Sequence, residues 1–420
     1  MSEHLVVDPA VLRGCVTVGP AKSLAPVVLG LSLLDLASFD ARELPATADL
    51  EEGLRVLQLW AGEELLAGAA CPDRGVPSHE RPRPGGVSQE QRSRVTLPLI
   101  GALASRNGTA RLPYPRGCPI GARPIDLHQA VLEHFGFVLH RCNGALEARR
   151  VRKPARAPFH LPARSRGASV QALLTAVAVG AGAHTLRGLA TTAPDVALLV
   201  DVLEQAGIAT RRDEDVIVDA RQPPVPLAPV RLPPDGIEIA SWVMAALYVG
   251  DDVEVTGPED PAALRVLERL VSLGAPIDDK GTTLRVRGPG HAKALGVITT
   301  EDGFDSDLFA VLAVLASGGE LPTEFRDDVF PERSAVFELL GAARTGRGTW
   351  RVHGRRPLAQ HLTVADLRHG FACLMLALAG SRRRILTDAG VLERGYPQIV
   401  PRLRALGVHA EWTSPSERAA

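Results

Sequence analysis

Residues 117–128 read Gly-Cys-Pro-Ile-Gly-Ala-Arg-Pro-Ile-Asp-Leu-His, and Arg116 comes immediately before them. Cys118 therefore stands between two glycines, with Arg116 on one side and Arg123 on the other. Nearby positive charge lowers a thiol's pKa and attracts an anion. One short loop thus offers a reactive sulfur and a place for a carboxylate or phosphate. On residue type alone, such a cysteine serves chemistry about as readily as it packs structurally beside a turn. A carboxylate in Phe304-Asp305-Ser306-Asp307 precedes the apolar run Leu308 to Leu315. Asp307, with Asp305 as the weaker candidate, could work as a base or satisfy a helix N-terminus. Lys22, in Gly19-Pro20-Ala21-Lys22-Ser23, opens an apolar helical run. Free backbone N–H groups and the helix dipole favour an anion there, although a surface lysine is the simpler reading of spacing alone.

Positioning such groups takes a large scaffold. A chain of 420 residues exceeds what one hydrophobic core usually supports, so two domains are expected. The 47 basic residues balance 48 acidic ones, so no global field favours nucleic acid or an anionic membrane. An anionic ligand must instead be held by a local arginine cluster. The five cysteines are Cys15, Cys71, Cys118, Cys142 and Cys373, an odd number with no CxxC pair. That argues against a disulfide framework and a structural zinc site. No ligand cluster or dinucleotide fingerprint stands out, so no metal or redox cofactor is expected. The N-terminus lacks a signal-peptide profile, and the apolar runs near 24–34 and 371–379 are too short to span a bilayer. A soluble cytoplasmic protein is the expectation.

The chain repeats itself. A leucine-rich helix end followed by glycine recurs at Gly62, Gly136, Gly207, Gly274, Gly341 and Gly407, spaced 66 to 74 residues apart. Each glycine suits the left-handed position just past a helix C-terminus. Short β-like runs follow most of them, such as Phe137-Val138-Leu139 and Val408 to Trp412. The unit, roughly 70 residues of mixed helix and strand, is too long for a solenoid repeat. Six units in two domains suggest three per domain. The proline-rich stretch from Gln222 to Pro234 is a candidate crossing between domains, and residues 72–90 read as a surface loop.

Six βα-type units in two lobes, with a cysteine loop in the second unit, resemble the enolpyruvyl transferases. The similarity is closer to UDP-N-acetylglucosamine 1-carboxyvinyltransferases than to 5-enolpyruvylshikimate-3-phosphate synthases, and it runs from about residue 5 to 412. It is strongest in 117–128 and returns in Ala365-Asp366-Leu367-Arg368 and Glu393-Arg394-Gly395-Tyr396. The resemblance implies an α/β fold, a two-lobed inside-out α/β barrel whose lobes close over the substrates. Residues 1–20 and 230–420 would form a discontinuous lobe I. Residues 21–229 would form lobe II and carry the Cys118 loop. It also implies addition followed by elimination. An acceptor hydroxyl attacks C2 of phosphoenolpyruvate while C3 gains a proton, and phosphate then leaves. That chemistry needs a proton donor, a base, and cations around phosphate and carboxylate.

On the same resemblance, Cys118 would protonate C3 and be the target of the epoxide fosfomycin, and Asp307 would accept the hydroxyl's proton. Lys22 would bind phosphate. Arg94, Arg123, Arg333, Arg368 and Arg394 match family arginines that hold the anionic substrates, where bidentate contacts favour arginine over lysine. Arg123, Pro124, Ile125, Asp126 and Leu127 resemble the segment that holds uracil. Ser165, Arg166 and Gly167 resemble the segment near the nucleotide phosphates, with Arg166 in place of a small apolar residue. Ser23 and Val329 complete the substrate-binding set.

Three positions depart from the family pattern. Ser23 replaces an asparagine, Thr47 replaces an aspartate while Asp49 remains, and Gly236 replaces an arginine in Pro234-Asp235-Gly236-Ile237-Glu238. The departures at Ser23 and Gly236 bear on recognition of N-acetylglucosamine, whereas the uridine segment is intact. The partners implied are phosphoenolpyruvate and a uridine nucleotide, either UDP-N-acetylglucosamine or the uridine monophosphate used in nucleoside-antibiotic pathways. Two alternatives stand beside this: activity on shikimate 3-phosphate, and a non-catalytic relative that binds a nucleotide and regulates a partner.

Overall fold

A computed structural model describes residues 3–39, 44, 47–61, 90–91, 93–115, 117, 124–257, 265–288 and 295–414. The expectations that rest on Cys118, Arg123, Gly62 and most of the 72–90 loop fall outside these residues. The chain separates into two compact units. One holds the described residues up to Ala21 and those from Pro233 onward. The other holds those between Lys22 and Leu232. The two crossings run side by side within the first unit. Pro20 forms an antiparallel bridge with Pro234, Ala21 N donates to Pro233 O at 3.1 Å, and Asp235 N donates to Gly19 O at 2.9 Å.

Twelve α-helices lie among the described residues. They are α1 Ala25–Leu33, α2 Ala48–Ala61, α3 Ile100–Asn107, α4 Asp126–His134, α5 Arg166–Val179 and α6 Pro194–Gln205 in the second unit. In the first unit they are α7 Gly236–Val249, α8 Arg265–Ser272, α9 Phe309–Ser317, α10 Ala335–Leu340, α11 Leu367–Leu378 and α12 Ile399–Ala405. From α4 onward, the even-numbered helices end just before the periodic glycines. Gly136, Gly207, Gly274, Gly341 and Gly407 have φ of 87°, 73°, 82°, 65° and 80°. Gly136 shows why no other residue fits well. A Cβ there would strain the backbone and meet the Arg152 carbonyl oxygen at 2.3 Å.

The strands form five four-stranded sheets with one shared arrangement. A first strand runs parallel to the second, and two antiparallel strands follow, in four of the five sheets with their chain order exchanged. Three sheets belong to the first unit and two to the second among the described residues. In the sheet of Val297–Thr299, α9 crosses to the parallel strand Thr323–Arg326. Next to it, Thr349–Val352 pairs antiparallel with that strand and with Ala343–Gly346. The N-terminal strand His4–Val7 fills the matching place in the last sheet, between Arg384–Thr387 and Ala410–Thr413.

The helices opening each repeat are apolar around most of their circumference and so bury on every side. All nine residues of α9 and all twelve of α11 are buried, as are eleven residues of α7. These three pack on one another in the first unit, and α3 and α1 pack on α5 in the second. Trp242 of α7 meets Phe371 of α11 edge-on at 5.1 Å between ring centres, and Phe371 meets Tyr396 at 4.3 Å. These aromatic contacts hold the N-terminal ends of α7 and α11 where polar groups gather.

Candidate active site

An aspartate stands at the start of each central helix of the first unit. Asp235 accepts from the N–H groups of Ile237 and Glu238 at 3.0 and 3.1 Å. Asp366 accepts from Arg368 and His369 at 2.8 and 3.1 Å. Asp305 accepts from Asp307 N at 2.9 Å and opens the turn Ser306–Leu308 that leads into α9. Each carboxylate satisfies N–H groups that no helical carbonyl can reach, worth about 1 kcal/mol apiece. The caps fix the residues just inside, and two of those residues meet. Asp307 Oδ2 accepts from Arg368 Nη2 at 3.1 Å, and Oδ1 accepts from Arg333 Nη1 at 2.9 Å.

Asp307 is thus held between two guanidiniums. The side chains of Arg333 and Arg368 are only 6% and 4% exposed, whereas that of Asp307 is 35% exposed. Arg333 also donates to Ser306 O at 3.0 Å and lies over the Phe330 ring at 4.9 Å. Arg368 donates through Nη1 to the Tyr396 hydroxyl at 3.1 Å. Neither arginine's Nε finds a hydrogen-bond partner among the described residues. Burial works to raise the pKa of Asp307, but the charges and hydrogen bonds of Arg368 and Arg333 outweigh it. They hold its carboxyl well below the usual carboxylate range. Two buried guanidiniums thus converge on one carboxylate.

Supporting groups surround this cluster. Asp327 accepts from Val329 N at 3.0 Å, Phe330 N at 2.8 Å and the Ser306 hydroxyl, which ties the Arg333 segment to the turn bearing Asp307. Val329 itself is exposed. Arg394 ends the turn Ala389–Arg394, which packs on α11. On α7, Glu238 is buried with Trp242 Nε1 at 3.2 Å and Arg402 beside it. Burial pushes Glu238 up to about 8, with Arg402 pulling the other way.

In the second unit, Lys22 Nζ contacts Asp49 Oδ2 at 2.8 Å, joining the turn before α1 to the first turn of α2. Ser23 follows Lys22 in that turn. Thr47 is buried, and its carbonyl accepts from Leu50 and Glu51 at the start of α2. Arg94 donates to Pro124 O at 3.3 Å. Pro124 and Ile125 lead into α4, which Asp126 and Leu127 begin. Ser165 caps α5 by accepting from Ala168 N at 3.4 Å, and Arg166 pairs with Asp195 at 2.9 Å. A Cβ at Gly167 would come within 3.3 Å of His128, and His128 is hydrogen-bonded to Gln171 of α5. The segments 124–128 and 165–167 therefore adjoin, with Arg94 against the first.

The structure thus gathers Asp307, Arg333 and Arg368 in one place. It gathers Arg94, residues 124–127 and residues 165–167 in another, and pairs Lys22 with Asp49. Sequence reasoning left out Tyr396, Ser241 and Asp327. Asp327 follows directly on the strand Thr323–Arg326, and Tyr396 stood in the motif Glu393-Arg394-Gly395-Tyr396 without a role, whereas Ser241, which meets Tyr396 across 155 residues of chain, had no signal.

Residues 6–403 match the EPSP synthase family, described as 3-phosphoshikimate 1-carboxyvinyltransferase. A UDP-N-acetylglucosamine 1-carboxyvinyltransferase of Acidobacterium capsulatum is 30% identical over 413 residues, covering 94% of this chain and 92% of its own length. One from Myxococcus xanthus is 30% identical over 422 residues, covering 97% and 98%. Among solved structures, the enolpyruvyl transferase NikO from Streptomyces tendae superposes with a TM-score of 0.76 at 23% identity. That match covers 99% of both chains.

Proposed function

The chain belongs to the EPSP synthase family and is an enolpyruvyl transferase, and from that premise we propose that its acceptor is a hydroxyl of a uridine nucleotide. The observation that carries the site assignment is Asp307 between Arg333 and Arg368, a part-exposed carboxylate beside two buried cations. Arg333 and Arg368 hold the phosphate and carboxylate of phosphoenolpyruvate, with Lys22, Arg94, Arg123 and Arg394 completing the anion-binding set. Asp307 takes the proton of the acceptor hydroxyl as its oxygen attacks C2. Cys118 gives a proton to C3. In the second step a C3 proton returns to the protein, the double bond re-forms and phosphate leaves with the C2–O electron pair. Preorganised guanidiniums stabilise the charge that gathers on phosphate.

Residues 124–127 hold uracil, and 165–167 lie near the nucleotide phosphates. Support for a uridine nucleotide comes from the adjacency of these two segments and from relatives named for UDP-N-acetylglucosamine along nearly the whole chain. Three observations favour uridine monophosphate between the two acceptors. Ser23 and Gly236 stand where the family carries larger polar side chains. Thr47 is buried at the start of α2. Arg166, paired with Asp195, places a guanidinium at the N-terminus of α5 where the family carries a small apolar residue.

The test is phosphate release from phosphoenolpyruvate in the presence of uridine monophosphate, UDP-N-acetylglucosamine or shikimate 3-phosphate. Release with a uridine nucleotide, largest with the monophosphate, is the expected outcome. Release with shikimate 3-phosphate alone, or with none of the three, would overturn the acceptor assignment.

A further inference from the structure

Arg368 is held by a chain of hydrogen bonds whose direction can be read. The Ser241 hydroxyl donates to the Ile237 carbonyl one helical turn back in α7, at 2.7 Å. A hydroxyl has one hydrogen, so Ser241 Oγ can only accept from its other neighbour, the Tyr396 hydroxyl at 3.0 Å. Tyr396 therefore donates to Ser241, and its oxygen accepts from Arg368 Nη1 at 3.1 Å. The run Arg368 to Tyr396 to Ser241 to Ile237 O points one way throughout. It ends on the backbone of a helix whose residues around Ser241 are fully buried.

The Tyr396 ring is itself fully buried, against Phe371 at 4.3 Å and with the Arg368 guanidinium 5.4 Å from its centre. The phenol has no freedom to turn away, and the guanidinium's other terminal nitrogen is the one on Asp307. We propose that Tyr396 is a positioning residue which, anchored through Ser241 to α7, orients Arg368 so that its second amino group stays on Asp307. This rests on the reading that Asp307 and Arg368 act on the substrates. It adds a residue pair that touches no substrate and works through Arg368.

Loss of the phenol hydroxyl leaves a buried guanidinium N–H without an acceptor, and the side chain must shift to find one. Asp307 then keeps Arg333 but loses the close approach of Arg368. Among the described residues, other charged groups around this cluster are Asp305, which caps the Asp307 N–H, Asp327, which accepts from the Ser306 hydroxyl, and Asp235 and Glu238, which act on Arg368. None of these acids can replace the lost positive charge.

The experiment follows the Asp307 carboxyl carbon by NMR titration in the full-length protein, with the signal assigned by its absence in Asp307→Asn. Expected in Tyr396→Phe is an upward move of the Asp307 titration by about one pH unit, since a close opposite charge depresses an aspartate by one to three. The acid limb of kcat/KM should move up with it, and kcat/KM should fall about tenfold to a hundredfold. Ser241→Ala keeps the ring and should move the titration the same way by less. Folded variants with an unchanged or lowered Asp307 titration would overturn the proposal, even if they melt earlier. If Tyr396→Phe does not fold, Ser241→Ala decides alone by the same criterion. The titration needs no turnover, so a wild type inactive with every acceptor would refute the functional reading while leaving this one testable.

Discussion

Asp307 places its two oxygens on different arginines, and this sets what it can do as a base. At rest the two cations hold the carboxyl ionised and weakly basic. On the proposed function, an anionic substrate that draws on the same guanidiniums would share their charge, so the basicity of Asp307 would rise as phosphoenolpyruvate arrives. A general base that strengthens only on binding limits proton loss before the reactants are assembled. In the proposed mechanism the matching acid is Cys118, and here the prediction is direct. Cys118→Ala should lower kcat at least about a hundredfold, the usual size of a lost acid–base group, and should abolish inactivation by fosfomycin. Steady-state rates with and without the epoxide check both. Inactivation is the proper readout because Cys15 and Cys142 are also exposed thiols and would label in any case. A variant with unchanged rate and unchanged sensitivity would make Cys118 structural. The sequence held both Asp305 and Asp307 in one tetrapeptide but could only weigh one against the other. The two differ in backbone conformation, with Asp305 extended to cap the turn and Asp307 inside it, and only coordinates separate those states.

Three central helices begin with Asp235, Asp305 and Asp366, and this repetition turns a stability device into a site. Caps of this kind fix a helix N-terminus to within a rotamer, which Arg368 and Asp307 need in order to meet across 61 residues of chain. The helices themselves were legible, because an apolar run closed by a glycine in the left-handed region is a local requirement of the backbone. Their partners were not, because which helix ends meet depends on packing among α7, α9 and α11. Glu238 belongs to this scale. It lies in the first turn of α7, buried beside Arg402 of α12, and burial lifts it to about 8 from an ordinary 4.5. A raised acid stabilises the fold below its unfolded value and loses that contribution as pH climbs toward the folded one. Glu238→Gln should therefore gain stability relative to wild type between pH 5 and pH 8. Urea midpoints at those two pH values measure the difference. A constant difference would mean that Arg402 keeps Glu238 in one charge state throughout.

At the scale of the molecule, six similar glycine-ended units announced a repeat, and five of them show the same strand arrangement among the described residues. The repeat did not announce how the chain enters it. The strand His4–Val7 does not pair with the strand that follows it. It becomes an inner strand of the last sheet, between Arg384–Thr387 and Ala410–Thr413. Nothing local in His4-Leu5-Val6-Val7 specifies partners some 400 residues away, since any alternating apolar strand would look the same. His4–Val7 and Ala410–Thr413 thus share one sheet, which cannot form until residue 413 has been made. Such long-range pairing must be reached by closing a very long loop, which slows folding. It also makes a residue near the N-terminus as costly to alter as one in the middle of the core. Leu5 is fully buried and lies opposite Leu386 on one side and Trp412 on the other. Leu5→Ala should destabilise the protein by about 2–5 kcal/mol, the range for emptying a buried leucine site. Equilibrium urea unfolding measures it. A loss below about 1 kcal/mol, the level of an ordinary surface substitution, would show that the first strand is an attachment and not part of the closed sheet.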